Sequence, residues 1–569
     1  MSRPYARAVF VWVVMPLALS ALLVWQADQF QAASSATYDE PLHLSQVHAL
    51  YRTGSFETFI RPMNPPVPIA LMGLPVIALT DGPADEDTPV WRWQMRLLRI
   101  GNTLLVGVPL VILLYVWTTL RNGPVVGGGI GLFAALSPNL LAHTSVATFD
   151  ASFALFGMVG VVAMCRHAER PTRTRWAVMA TAIGVAVACK QSAFFLIPVA
   201  ALTPAFECWR NHRSGGRAGR VLRTAGVWVG HAAALGVWAM TVNWALYGFT
   251  VAPLLQPGLE HPTFNRLLGS SPEAARLKHW LETVPIPASV NTFLGQVAHG
   301  LRGHETYTLG RYSLAAPKYY FPLAVACKCT PAELVLLLFL GGCLAARWRW
   351  WWFDTTRRTW VLAAALLTAV CVNSKLALGL RYMALCYPLF LVLAADAVGD
   401  VCRDFRWRAL AIGGLVVGQL VANVGIHPNY LCYFNSLVGG PGEGHKYFGD
   451  SNLDWGQGLP GVPDEIVRLG GGSVCLAYFG TADPRAYGID ATDWRAGEAA
   501  VFSCDWLVVS VSLIQGFEYG PEPFAKFEPL RPSGQVNYAL WVYPMRDPAV
   551  RDALTHARNS YRPPPKSEH

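Results

Sequence analysis

Two acids stand side by side in Thr37-Tyr38-Asp39-Glu40-Pro41-Leu42-His43, just beyond the first long apolar run. A carboxylate in such a place can take a proton from an acceptor hydroxyl or help hold a divalent metal. It can equally serve a helix start, with Thr37 or Asp39 as N-cap, Pro41 in the first turn and acids at the positive helix end. His43 falls on the same helix face as Asp39 and Glu40, at i+4 and i+3. That spacing permits metal ligation, but no second ligand motif completes a site. A third acid, Asp150 in Thr148-Phe149-Asp150-Ala151-Ser152, opens a later apolar run. Lys190, Lys375 and Arg381 lie at the ends of others. Two or three such cations would fix a lipid phosphate or pyrophosphate, arginine as a fork and lysine as a point charge. The competing reading is interfacial snorkelling.

The elements that must position these groups are membrane helices. Of 569 residues, 53% are apolar and only 14% charged, against roughly 25% charged in soluble domains. Mean hydropathy is +0.32. This excludes a disordered, nucleic-acid-binding or ordinary cytosolic chain and points to a multi-pass membrane protein. Apolar runs fall near 8–26, 97–120, 124–142, 150–167, 175–190, 191–207, 224–246, 319–345, 359–374, 382–398 and 409–425, about eleven spans by the ~20-residue criterion. The first reads as a retained helix, because Ala27-Asp28-Gln29 is a poor cleavage context.

Alternate loops carry the arginines. One set holds Arg3 and Arg7, Arg121, the group from Arg166 to Arg175, the group from Arg210 to Arg220, Arg347 to Arg358, and Arg403 to Arg408. The opposing short loops hold little beyond Lys190, Lys375 and Arg381. This asymmetry predicts a cytoplasmic N-terminus and an extracytoplasmic C-terminus in a cell membrane, with a bacterial inner membrane as the expected setting. The apolar stretch 67–80 is only about 21 Å long as a helix and contains Pro68 and Pro75. If it spanned, every later arginine cluster would flip outward. It therefore reads as a re-entrant or interfacial helix within a long outer loop, 27–95, beside a cavity. A second outer loop covers 247–318.

The domain organisation expected is a membrane part, 1–425, and an extracytoplasmic tail, 426–569. The tail has glycine punctuation, short β-type runs at 474–479, 506–512 and 538–543, and a helix around 463–469, the pattern of a small α/β domain. Most of the twelve cysteines sit in apolar runs as small hydrophobes. Only Cys432, Cys475 and Cys504 lie in the tail, an odd count that argues against a fully paired scaffold. In that tail, Asp450-Ser451-Asn452-Leu453-Asp454-Trp455-Gly456-Gln457 is either a carbohydrate-contacting surface or a tight loop docking the tail through Trp455, the second being favoured.

Several strings carry a resemblance. Asp39-Glu40-Pro41, then Met63-Asn64-Pro65-Pro66 before a short apolar helix, is similar to polytopic lipid-carrier-dependent glycosyltransferases of the C superfamily (GT-C). That group includes protein O-mannosyltransferases, of the family-39 type, and the aminoarabinose transferases of lipid A. Thr148-Phe149-Asp150, Lys190, His304-Glu305-Thr306-Tyr307-Thr308-Leu309-Gly310, Gly379-Leu380-Arg381-Tyr382 with Tyr387-Pro388, and Tyr430 to Asn435 leading into the Asp450–Gln457 string resemble the same group. The resemblance runs, discontinuously, over nearly the whole chain. It implies a GT-C helical bundle, a polyprenyl-phosphate-linked sugar as donor, and inverting transfer on the outer face to a lipid, glycan or protein acceptor. By matching position, Asp39 would be the catalytic acid-base residue, with Glu40 beside it, and Asp150 a second site acid. Lys190 and Arg381 would hold the donor phosphate. His43, Asn64, Tyr382, Asp450, Asn452 and Asp454 are expected to contact substrate or shape the site. Relatives often carry Glu-Lys-Pro-Pro or His-Pro-Pro where this chain has Asn64-Pro65-Pro66, so the resemblance leaves dependence on a metal such as Mg or Mn open. The alternative function is a secondary transporter or flippase of a lipid-linked or polar solute. It would favour mid-span acids and paired broken helices, whereas here the acids cluster towards one face.

Overall fold

The structure is a computed structural model that describes residues 3–211, 217–255, 269 and 271–562. Arg213, part of the second outer loop and the end of the tail lie outside these. Helices cover all eleven apolar runs. Five of them, Pro4–Ala33, Pro89–Asn122, Phe149–Glu169, Ala218–Leu246 and Phe405–Ile426, are long and apolar enough to cross a membrane. A sixth is counted if Pro124–Ala135 and Pro138–Ser145, bent by 62°, form one span. The bend falls where Pro138 removes a helical N–H. The protein is a multi-pass membrane protein; eleven spans remain an expectation from the sequence.

Helices outrun the apolar stretches at both ends of the first loop. The first continues to Ala33 and the second starts at Pro89, so the loop is shorter than 27–95. Asp28 and Arg96, exposed on these extensions, pair at 2.5 Å. Within the loop, the short apolar stretch is the helix Pro66–Leu79. Gly101 lets it approach closely, since a Cβ there would meet the Met72 carbonyl oxygen.

The arginine-bearing loops meet at one end of the bundle. Arg121 donates to Asp396 at 2.8 and 3.2 Å, and Arg357 reaches Asp396 at 3.3 Å and Asp400 at 3.0 Å. Asp396 is buried and would be costly there without these cations. The opposite end carries the tail, and the predicted site residues gather there.

In the second loop, β1 (Val251–Pro253) pairs antiparallel with β2 (Pro285–Pro287), and β3 (Thr306–Thr308) with β4 (Arg311–Ser313). The tail forms one five-stranded sheet from β5 (Val474–Ala477), β6 (Ala491–Asp493), β7 (Trp506–Ser510), β8 (Gly534–Val536) and β9 (Leu540–Pro544), in the order β6-β5-β7-β9-β8. β5 runs parallel to β6 and β7, whereas β9 is antiparallel to β7 and β8. Helices Val462–Arg468 and Pro548–Ser560 flank it. An α/β tail is therefore observed, with two short strands and a C-terminal helix added to those expected from the sequence.

The loop 450–457 fastens this domain to the membrane part. Ser35 N–H donates to the Gln457 carbonyl and Tyr38 N–H to the Trp455 carbonyl, both at 3.0 Å. The hydroxyl of Ser35 adds a 2.7 Å bond to the Gly456 carbonyl. Buried Lys328 donates to the carbonyls of Leu431 and Asn452. Each bond removes an otherwise unpaired polar group from a water-poor seam, so docking is geometrically tight.

Candidate active site

Four of the predicted residues converge at the tail-bearing end. Asp39 is the residue before the helix Glu40–His48, whose first turn holds Pro41. Its side chain is 42% exposed and its carboxylate lies 3.5 Å from the Arg381 guanidinium. Asp150 sits in the first turn of Phe149–Glu169, where the helix dipole favours an acid. It is 4% exposed, 2.5 Å from Lys190 Nζ and 3.9 Å from Arg381. Arg381 thus stands between Asp39 and Asp150. Lys375 does not join them; it donates to the Leu301 carbonyl.

Aromatic rings hold both cations. Lys190 Nζ lies 4.2 Å from the Tyr382 ring centre, and the Arg381 guanidinium lies 4.0 Å from that of Trp455. Arg381 Nε is fixed on the Leu378 carbonyl at 2.8 Å. Burial would lower the Arg381 pKa, but the carboxylates of Asp150, Asp39 and Asp450 push it upward. The charge is therefore permanent. Lys190 and Arg381 both keep N–H groups that these contacts do not consume, an arrangement suited to an oxyanion.

Glu40, Asp39's neighbour, points elsewhere. It is fully buried and takes a two-pronged bond from Arg99, at 2.8 and 2.6 Å. The backbone N–H groups of Ala147 and Thr37 also donate to it, at 2.6 and 2.7 Å. Burial would raise its pKa, yet Arg99 and these donors hold it below the usual carboxylate value. Every lone pair has a partner, so the geometry speaks against proton transfer by Glu40. Its chemistry is that of a clamp joining the first loop to the segment just before Asp150.

The other predicted residues separate similarly. His43 is buried, with Nδ1 2.8 Å from the Ala147 carbonyl and its ring 4.5 Å from that of Phe149. Burial lowers its pKa, against the pull of Asp39. It braces the loop. Asn64 donates to Gln46 and accepts from Tyr247 through its carbonyl. Asn452 accepts from Leu380 N–H and donates to the Tyr320 hydroxyl, setting the backbone next to Arg381. Asp454 accepts from the N–H groups of Gly456 and Ser512 at 3.2 and 3.0 Å. Burial pushes its pKa up to about 7. These are shape-giving contacts. Asp450 lies within charge range of Arg381 and Asp39.

Sequence reasoning missed Arg99, Lys328 and His143. Arg99 lies on an amphipathic helix face where an arginine reads as solvent-facing. Lys328 lies inside an apolar run as one cation before a proline, with no spacing signal. His143 lines an apolar cavity that extends from Arg381 into the bundle past Leu140, Ala151, Leu336 and Phe390. No local sequence pattern reports such a cavity.

Among the described residues, no group of three or more His, Cys, Asp or Glu side chains could hold a metal ion. The acids nearest the site, Asp39 and Asp150, face fixed cations instead.

Residues 77–255 match the family model described as dolichyl-phosphate-mannose-protein mannosyltransferase. That segment, less than half of the chain, holds Asp150 and Lys190. The match and the sequence motifs name the same group, the lipid-carrier-dependent membrane glycosyltransferases. No curated protein matches the chain. Among solved structures, it is similar to ArnT from Cupriavidus metallidurans bound to undecaprenyl phosphate, at 13% identity and a TM-score of 0.44, over 95% of this chain and 99% of that one. It is also similar to the Archaeoglobus fulgidus oligosaccharyltransferase in its apo form, at 11% identity and 0.45, over 89% and 70%. Likenesses this distant do not bear on the function.

Proposed function

We propose that the protein transfers a sugar from a polyprenyl-phosphate carrier to an acceptor hydroxyl on the extracytoplasmic side of a bacterial inner membrane, with inversion at the anomeric carbon. The supporting observation is the convergence of Asp39, Asp150, Lys190 and Arg381 in one ion-pair cluster, with Arg381 also lining an apolar cavity. The cavity takes the start of the prenyl chain. Lys190 and Arg381 take the phosphate, and Asp150 fixes both cations in place. Asp39, the accessible acid, takes the proton from the acceptor hydroxyl. That oxygen attacks the anomeric carbon, forming the new glycosidic bond as the bond to the phosphate oxygen breaks. The electron pair leaves with the polyprenyl phosphate, whose growing charge the two cations stabilise. The proton ends on Asp39. A phosphate-linked sugar brings its own leaving group, so no nucleotide-binding fold is needed. The short loops on the tail-bearing side are poor in arginine, which supports the outward orientation.

A thermal-shift series tests the donor. A ligand bound only by the folded state stabilises it by RT ln(1 + [L]/Kd). Undecaprenyl phosphate should raise the melting temperature of the purified protein more than UDP-glucose or GDP-mannose at equal concentration, and Arg381→Gln should abolish that rise. A larger shift from a nucleotide sugar would overturn the donor assignment.

A further inference from the structure

The tail's own acid, Asp450, is built in a way that docking does not require. It adopts φ of +50°, in the left-handed region that side chains seldom occupy. It is 7% exposed, and its Oδ2 has no hydrogen-bond partner among the described residues. Its backbone is held on every side. Asp450 N–H meets the Ser512 hydroxyl at 3.2 Å, and its carbonyl accepts from Leu453 and Asp454 N–H at 2.8 and 2.9 Å. Ser451 bonds the Leu378 carbonyl, and a Cβ on Gly379 would collide with the Ser451 hydroxyl. The carboxyl cannot drift away from the strand of chain that carries Arg381. It is near enough to Arg381, His304 and Asp39 to feel their charges. A buried carboxylate oxygen left without a donor is costly, and the fold retains it at the edge of the charged cluster.

We propose that Asp450 is a sugar-binding residue supplied by the C-terminal domain, its Oδ2 accepting a hydroxyl of the sugar whose phosphate rests on Lys190 and Arg381. This rests on the polyprenyl-phosphate donor reading and adds the group that distinguishes a loaded carrier from a spent one. A pyranose or furanose ring joined to a phosphate at Arg381 spans only about a ring's width from it, the reach of a neighbouring carboxylate. The site is then incomplete without the tail. Docking of 450–457 and donor recognition become one structural event, because the loop that carries Trp455 onto Arg381 also carries Asp450 to the sugar.

The test compares two probes, undecaprenyl phosphate and undecaprenyl phosphate carrying mannose, glucose or arabinose, on full-length protein by thermal shift and by titration. Wild type should bind at least one loaded carrier about tenfold more tightly than the bare one, the worth of one hydrogen bond to a charged acceptor. Asp450→Asn should lose that preference and keep its affinity for the bare carrier. Asp450→Gly, which suits the left-handed backbone, should do the same and guards against a folding defect in the first variant. Retention of the preference in both variants overturns the assignment, as does wild-type protein that binds bare and loaded carriers equally. Wild type indifferent to every carrier refutes the donor reading, and this assignment with it.

Discussion

Asp39→Asn should abolish transfer in a protein that still reaches the membrane and melts as wild type does. The substitution keeps the side chain's volume and removes its basicity. Asp39 is 42% exposed, and its ion pair with Arg381 is a loose one at 3.5 Å, so little folding energy depends on its charge. Loss of a general base costs about 10²–10⁴ in rate. Sugar incorporation by membranes containing the variant, against its melting temperature, separates the two effects. Full activity would move the base to another group, Asp150 being the nearest candidate, although its contact with Lys190 makes it a poor one.

Glu40→Gln, one residue further on, should do the reverse. Here the carboxylate answers Arg99 inside the protein, with side-chain exposures of 0% and 3%. Removing one partner of such a pair strands the other charge and costs about 3–5 kcal/mol. The variant should melt markedly lower and accumulate poorly, and Arg99→Met should match it. Combining the two should recover part of the loss, since no charge is then left uncompensated. A variant as stable as wild type yet inactive would return Glu40 to the catalytic group. Adjacent acids with opposite consequences follow from what each one faces.

That contrast marks how far the sequence could be read. Apolar length located helical segments in all eleven runs, five or six of them long and apolar enough to cross a membrane. It could not define ends, since Asp28 and Arg96 extend two helices beyond their apolar cores. Type and position brought out Asp39, Asp150, Lys190 and Arg381 as candidates, but Asp39 and Glu40 look identical until Arg99 is placed. An ion pair so distant along the chain leaves no local pattern. β6 and β8, three residues each, are too short to show alternation, whereas the longer β7 and β9 are evident. Trp455 as a docking residue was legible from its polar surroundings. The left-handed Asp450 was not, because backbone strain is set by the contacts of Gly379 and Ser512 rather than by neighbouring residues.

The most direct test of sugar transfer from a polyprenyl phosphate is mass spectrometry of lipid-linked sugars and cell-envelope glycans from cells lacking the protein, supplied with either wild type or Asp39→Asn. One polyprenyl-phosphate sugar should accumulate without the protein, one hexose or pentose increment should disappear from an envelope molecule, and wild type alone should reverse both. Unchanged carrier lipids and glycans, or reversal by the variant, would contradict this.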